Sequence, residues 1–482
     1  MRAGAVASGT IQAADRAVRP RVSVTALHSA TLATPASEST RPGEAPRLLV
    51  ITYCFPPDGY VGGLRWAGIT KYLSRLGWEV SVLTAAPPVG DDAAVGAHLE
   101  SCPRLWTLID CCRWLRRRAL GRSRALLPDA SRVARASGPR GLLRQLRREV
   151  AAVLTFPDDS RGWILRATLR ARSLIRRFQP HVVVSSGPPH SAHLVAGMAT
   201  IGSSVDWFID LRDPWAGPLT KAWESHPKLR TWVFHALSPR LERLAFRAAH
   251  GVITNTPQLA HALAAKYPEV SVVCVPNGVD PECLPPPATA PYPGLGIAYA
   301  GILYGSRDLG PVVQAFRLFL ERHPDAAQAG SKLRIAGAAE LRHAQAFRDA
   351  VAAAGIEQHV EVLGPLPRVQ ALNLVSRSRV AVVLAQEQEL QIPAKLYESI
   401  ALGIPTLVVA GADSGAAVEG NRLGAVVRDH GDVEGIARVL EQLWGDKSRQ
   451  RSLCPVPITY EAIAHLVDEI LRENGVPTRP CG

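Results

Sequence analysis

Lys395 and Glu398 stand three residues apart in the segment IPAKLYESIALGIPTLVV, residues 392–409. A short helix is expected after Pro393, which puts both side chains on one face. An ammonium can hold phosphate, and a carboxylate can accept hydrogen bonds from two hydroxyls of a sugar. The same spacing also describes a surface ion pair of little energy. The flanks favour a site, because the segment runs through Gly403 and Pro405 into an apolar strand. Loops at the carboxyl ends of parallel strands are where such sheets bind ligands. A second segment, YCFPPDGYVGGLRWAGITKYLSRLGWEV at 53–80, sets Gly59, Gly62 and Gly63 between a strand and a helix. Free N–H groups there, beside the positive end of the helix dipole, suit an anion. A tight turn without a ligand has the same composition.

Two further groups follow strands. His190 and His193 lie in GPPHSAHL, and Asp210, Arg212 and Asp213 lie in WFIDLRDPW. His190 can orient a substrate or take part in proton transfer, or it can serve as a hydrogen-bonded residue at a helix start. The aspartates and Arg212 can line a cleft, or brace it as an internal ion-pair network. Their spacing is not D-x-D, so it offers no metal argument. No Ser-His-Asp arrangement can be read from the chain, and G-x-S-x-G is absent. The eight cysteines form no C-x-x-C pair and join no histidine cluster. Reduced thiols fit better than a zinc site or a disulfide framework.

The elements that must position these residues alternate strand and helix in two blocks. Strands are expected near 47–52, 79–84, 181–185, 206–210, 251–255 and 271–275, then near 297–301, 332–336, 360–363, 380–384, 405–409 and 424–427. That alternation predicts an α/β protein of two doubly wound parallel sheets. A chain of 482 residues is too long for one core. The expected division is a tail at 1–45, a first domain at 46–280 with a basic insert at about 95–160, and a Pro-rich linker at 281–296. A second domain at 297–450, a helix within 451–474 and a tail at 475–482 complete it. No run approaches the length of an uncharged membrane-spanning helix, and residues 1–45 lack the apolar core of a secretory signal.

The net charge of +13 is concentrated. Residues 113–148 hold twelve arginines against one acidic residue, Asp129, interleaved with Trp114, Leu115, Leu120, Leu126, Leu127, Leu142, Leu143 and Leu146. A basic amphipathic stretch suits an anionic membrane surface. Nucleic acid also attracts basic patches, but no nucleic-acid motif accompanies this one and no such partner is expected. A solvated arginine-rich face is the plain alternative.

Taken in order, FPPDGYVGG, FPDDSRGW, SSGPPHSAHL, WFIDLRDPW, GVITNTPQL, VPNGVD, AYAGILYGSRD, VLGPLP and PAKLYESIALGIP resemble the GT-B glycosyltransferases, specifically the nucleotide-sugar-dependent retaining enzymes of family four. The similar stretches run from about Arg47 to about Leu471. The resemblance implies two Rossmann-like domains facing a cleft, with the last helix packed back on the first domain. It places cations on the donor diphosphate, here Arg307 and Lys395, with Gly62 and Gly63 approaching from the opposite domain. Glu398 would hold the ribose, while Gly364, Pro365 and Leu366 would bracket the base and Leu396 would join them at the donor. His190, Arg307 and Lys395 are the catalytic candidates. Arg65, His190, Asp210, Arg212, Asp213 and Asn277 would line the acceptor side or the cleft. The chain departs from the family where a further basic residue is usual, at Ile302 and Leu303, and where a glutamate often contacts the donor sugar, at Leu390. The expectation is a metal-independent retaining transferase without cofactor. It would act on a lipid-linked or cell-surface glycan at the cytoplasmic membrane face. A nucleotide-sugar epimerase and a non-catalytic sugar-nucleotide-binding scaffold stand as alternatives.

Overall fold

A computed structural model describes residues 45–56, 61–86, 96–107, 110–111, 153–154, 156–216, 228–286, 290–446 and 458–475. The arginine-rich stretch 113–148 lies outside the described residues, as do the expected tails.

The amino-terminal sheet is built from β1 (Arg47–Thr52), β2 (Glu79–Thr84), β3 (His98–Ser101), β4 (Val182–Gly187), β5 (Asp206–Leu211), β6 (Gly251–Thr254) and β7 (Val272–Cys274). All pairings are parallel, in the order β3-β2-β1-β4-β5-β6-β7. The second sheet contains β8 (Gly296–Ala300), β9 (Lys332–Ala336), β10 (Val360–Gly364), β11 (Val380–Leu384), β12 (Thr406–Val409) and β13 (Val426–Arg428). Its order is β10-β9-β8-β11-β12-β13, again all parallel. Strand order reverses between β1 and β4 and between β8 and β11, and a doubly wound sheet binds ligands in the crevice at that reversal. The strand β3 is absent from the sequence reading, which treated its surroundings as insert. HLES carries no apolar run, since it is an edge strand with one buried residue, Glu100.

The central strands are buried end to end: Leu48 to Ile51 are inaccessible, as are Val182 to Val184. That is what a strand covered by helices on both faces requires. Helix α1 (Val61–Arg75) turns Trp66, Ile69 and Leu73 into the same core. It ends on Gly77 at φ +88°, with Gly77 N–H donating to Ser74 O and Trp78 N–H to Leu73 O, the glycine-terminated stop that hands the chain to β2.

The terminal helix Tyr460–Gly475 lies against α1. Tyr460, Ile463, Ala464, Val467 and Leu471 join the core of the amino-terminal domain, and Trp78 Nε1 donates to Asp468 Oδ1 at 2.5 Å. The linker is fastened at its start, where Asp280 accepts Lys71 Nζ at 2.8 Å and Tyr72 Oη at 3.0 Å. Cys102, Cys111, Cys274 and Cys283 are free thiols. Among the described residues no helix is long and apolar enough to cross a membrane.

Gly68 controls the docking of the last helix, because a Cβ there would lie 2.2–2.8 Å from the Tyr460 ring. Gly68→Ala should lower the unfolding free energy by about 1–3 kcal/mol, the scale of overpacking, and speed amide exchange in 460–475. Denaturant titration and hydrogen exchange check this. Adding Tyr460→Leu should restore much of the loss; additive losses in the double variant would refute the contact.

Candidate functional site

On the amino-terminal side the site is organised by a buried ion pair. Arg65 is 2% and Asp210 0% exposed, and Arg65 Nε donates to Asp210 Oδ1 at 3.1 Å. The remaining guanidinium donors reach Pro276 O at 2.7 Å, Val275 O at 2.7 Å and Asn277 Oδ1 at 3.2 Å. Asp210 Oδ2 accepts Trp66 Nε1 at 2.8 Å and Ser186 Oγ at 2.7 Å. Arg65, Asp210 and Asn277 therefore bind one another, tying α1, β4, β5 and the start of the linker together. They brace the cleft.

Arg212 and the glycine loop meet. A Cβ on Gly62 would lie 2.7 Å from Arg212 Nη1, and one on Gly63 would lie 2.8 Å from Phe55 Cα and 2.9 Å from Cys54 O. The close approach of α1 to the end of β1 thus requires glycine at 63 by itself, and glycine at 62 leaves room for the guanidinium. Arg212 Nη2 donates to Pro188 O at 2.6 Å.

His190 precedes the helix Ser191–Thr200. That helix start is held by Asp158, which accepts Ser191 N–H at 2.8 Å and Ser191 Oγ at 2.6 Å. Burial raises the Asp158 carboxyl, opposed by these bonds. The His190 ring stacks on Trp215 with centroids 5.1 Å apart and planes 11° apart. Burial, then His193 and Arg212, push its pKa well below the ordinary imidazole value, so the ring is neutral at pH 7. His193 is lowered to about 3 by burial and then Arg212. It is fully buried, with Nδ1 2.9 Å from Ser185 Oγ, and belongs to the support beneath His190.

On the opposite side, the helix Ala394–Ala401 carries Lys395 and Glu398. Gly403 at φ +68° ends it, with Ile404 N–H donating to Ser399 O. Lys395 Nζ lies over Gly301, where a Cβ would be 2.6 Å from it and 2.8 Å from Tyr299 Oη. Burial lowers the Lys395 pKa to about 8, with Arg307 adding to the effect and Glu398 opposing it. The Arg307 guanidinium is close enough to repel the ammonium, so β8 and β11 deliver two cations to one place. Arg307 stacks over Tyr304 at 4.5 Å and makes long bonds to Ile302 O at 3.4 Å and Gln388 Oε1 at 3.5 Å.

Glu398 Oε1 accepts Arg368 Nη1 at 2.5 Å, a partner that the sequence reading did not foresee. Leu396, expected at the donor, is fully buried in the core and its N–H is taken by Pro393 O. It anchors the helix and presents no side chain to the cleft. Gly364 has φ +69° with nothing within 4 Å of its Cβ position; Pro365 beside it is exposed and Leu366 partly buried.

Hydrogen bonds cross the cleft: Gln391 Nε2 donates to Asp213 Oδ1 at 2.6 Å, and Thr256 Oγ1 donates to Leu390 O at 2.6 Å. Leu390 itself packs against the amino-terminal core, so the position where a sugar-contacting glutamate was sought is an apolar anchor between domains. Sequence reasoning missed Asp158, Arg368, Gln391 and Trp215. Asp158 and Trp215 lay in quoted motifs, but nothing local marked them. Among the described residues no group of three His, Cys, Asp or Glu side chains gathers as a metal site.

Family models agree with this architecture. The model described as Glycosyltransferase Family 4 matches residues 130–283, and that described as Glycosyl transferases group 1 matches 300–446. No curated protein matches the sequence. Among solved structures, sucrose-phosphate synthase from Thermosynechococcus elongatus is similar at TM-score 0.58 and 13% identity, covering 89% of this chain and 99% of that one. Anabaena HepE, in complex with UDP and glucose, gives 0.52 and 13%, covering 89% and 99%. A putative UDP-N-acetylglucosamine 2-epimerase from Listeria monocytogenes gives 0.53 and 13%, covering 91% and 99%. At these identities the likeness is one of fold.

Two measurements probe this geometry. Arg65→Met leaves the Asp210 carboxylate buried without its cation and should cost about 3–5 kcal/mol of stability, read by denaturant titration; a loss below ~1 kcal/mol would show that the pair does not brace the cleft. Only the charged form of Lys395 attracts a diphosphate, and that form prevails below pH 8. Nucleoside diphosphate affinity, followed by calorimetry, should be level below pH 7 and weaken toward roughly tenfold per pH unit above 8. Lys395→Arg, charged throughout, should abolish that slope.

Proposed function

We propose that this chain, which belongs to the family-four type of GT-B glycosyltransferase, moves a sugar from a nucleotide-sugar donor to a lipid-linked or cell-surface glycan, with retention and without a metal ion. The observation that carries the donor reading is the position of Lys395 Nζ over Gly301, which follows β8 and opens the loop that carries Arg307. Cleavage of the anomeric C–O bond leaves negative charge on the diphosphate and positive charge on the sugar. Fixed cations at the phosphate stabilise that developing charge without reorganising, which is the task a metal ion performs elsewhere. Glu398, steadied by Arg368, is placed one helical turn beyond Lys395 to accept ribose hydroxyls. Gly62, Arg212 and His190 face the donor from the other domain. A neutral His190 can accept a hydrogen bond from an acceptor hydroxyl or align it. The HepE complex makes UDP-sugars the first donors to try.

The acceptor reading rests on surface character. Leu165 and Leu169 are 69% and 61% exposed on the helix Arg161–Phe178, and Trp106 is 63% exposed; the arginines of 113–148 add to this as sequence alone. Arg166 and Arg176 are exposed on the same helix. Leucine, tryptophan and arginine together suit the interface of an anionic leaflet, which supports the reading of peripheral attachment at the cytoplasmic face of the membrane. The epimerase neighbour favours a second reading, nucleotide-sugar isomerisation.

Incubation of labelled nucleotide sugars with membrane lipid separates the two: label in lipid means transfer, and an isomerised nucleotide sugar means epimerisation. Arg307→Ala or Lys395→Ala should each lower turnover by roughly 10²-fold or more, and excess chelator should leave it intact. Near-normal rates in both variants, or loss on chelation restored by magnesium, would contradict the assignment.

A further inference from the structure

Arg307 makes long hydrogen bonds to Ile302 O and Gln388 Oε1 and stacks over Tyr304. Among the described residues its Nε is buried without a hydrogen-bond partner, so the guanidinium keeps donor capacity, and the backbone that carries it must be fixed as well. That backbone is gripped by a residue of the neighbouring loop. Gln386 lies two residues past the end of β11 and is 5% exposed. Its Oε1 accepts Asp308 N–H at 3.0 Å, and its Nε2 donates to Asp308 O at 2.7 Å. Ser306 Oγ donates to Gln386 O at 2.6 Å. Three bonds thus bracket Arg307 from residues 306 and 308. The planar amide satisfies both backbone groups of one residue, as a neighbouring strand would. Asp308 also fixes the next helix, since its Oδ1 accepts Gly310 N–H at 2.8 Å.

We infer that Gln386 is a positioning residue for the diphosphate: it clasps the loop of β8 to the loop of β11 and so sets the spacing of Arg307 from Lys395. The two loops belong to the two strands that flank the reversal in strand order. No regular pairing joins them beyond Ala298 and Ala381, where the β8–β11 ladder ends. Gln386 extends the junction past that point with side-chain bonds. A carboxylate at 386 would keep the bond from Asp308 N–H but face Asp308 O without a proton to donate, and would set a negative charge beside two cations. A hydrophobic residue would lose both bonds and strand a buried peptide group.

The inference rests on the reading of Arg307 as a diphosphate ligand, and the test separates the two. Binding of UDP and UMP is measured by calorimetry, with the GDP/GMP and ADP/AMP pairs alongside. The pair that binds the unaltered protein most tightly is used throughout. Arg307→Met tests the reading: it should weaken the diphosphate and spare the monophosphate. Gln386→Leu tests the clasp: it should weaken the diphosphate roughly tenfold, the scale of one or two hydrogen bonds, while the monophosphate stays within about twofold. In the Arg307→Met background Gln386→Leu should add nothing, because the positioned group is gone. If Arg307→Met leaves the diphosphate unaffected, the ligand reading falls and the clasp with it. If Arg307→Met acts but Gln386→Leu weakens both nucleotides equally, acts additively or does nothing, the clasp alone is overturned. Should Gln386→Leu fail to fold, Ser306→Ala removes one of the three bonds and must shift the same ratio in the same direction; an unchanged ratio overturns the inference.

Discussion

The cleft depends on the carboxylate of Asp210. It is wholly buried, and a buried charge persists only when it is paired and hydrogen-bonded. Arg65 and Trp66 of α1 and Ser186 of β4 supply that company. Because Arg65 spends its other donors on Val275, Pro276 and Asn277, the requirement of one carboxylate fixes α1 against both the middle of the sheet and the start of the linker. The glycine loop, the Arg212 guanidinium and the shelf under His190 all inherit their positions from it.

On the facing domain the physical problem is reversed. Two cations must be kept together without an anion between them. Lys395 meets this by giving up part of its basicity, through burial and the nearness of Arg307. On the proposed reading such a pair repels itself until the donor's diphosphate arrives, so the relief of that repulsion becomes part of the affinity. The loops that carry the cations must therefore be held by other means. Gln386 does this on one side, and on the other the contacts of Leu390 and Gln391 with Thr256 and Asp213 do so across the cleft.

The glycines show how differently one residue type can be used. Gly62 and Gly63 are adjacent, yet one makes room for a guanidinium and the other for the backbone of β1. Gly337, at φ +138°, would place a Cβ 1.8 Å from Gly301 O, so the loop beside Lys395 tolerates no side chain there. The close approach of backbones around the cations is a property of packing that composition alone cannot assign.

By itself the sequence determined the alternation of buried strands and amphipathic helices, because apolar runs and helical periodicity are local. It also placed Arg307, Lys395, Glu398 and His190 after strands, where parallel sheets present ligands. It could not show β3, whose edge position leaves no apolar run to read. It named Asp210, Arg212 and Asp213 together, but only the tertiary structure separated them into a buried brace, a guanidinium against Gly62 and a contact across the cleft. Leu396 looked like a member of a binding segment and is packed into the core of its own domain, while Leu390, where the family's glutamate is missing, packs against the other domain. Arg368, Asp158 and Gln386 had no signal at all, since their meaning lies in partners 30, 33 and 78 residues away. Local physics decides which element a residue joins; which group it faces is decided by long-range packing, and a site is made of facing groups.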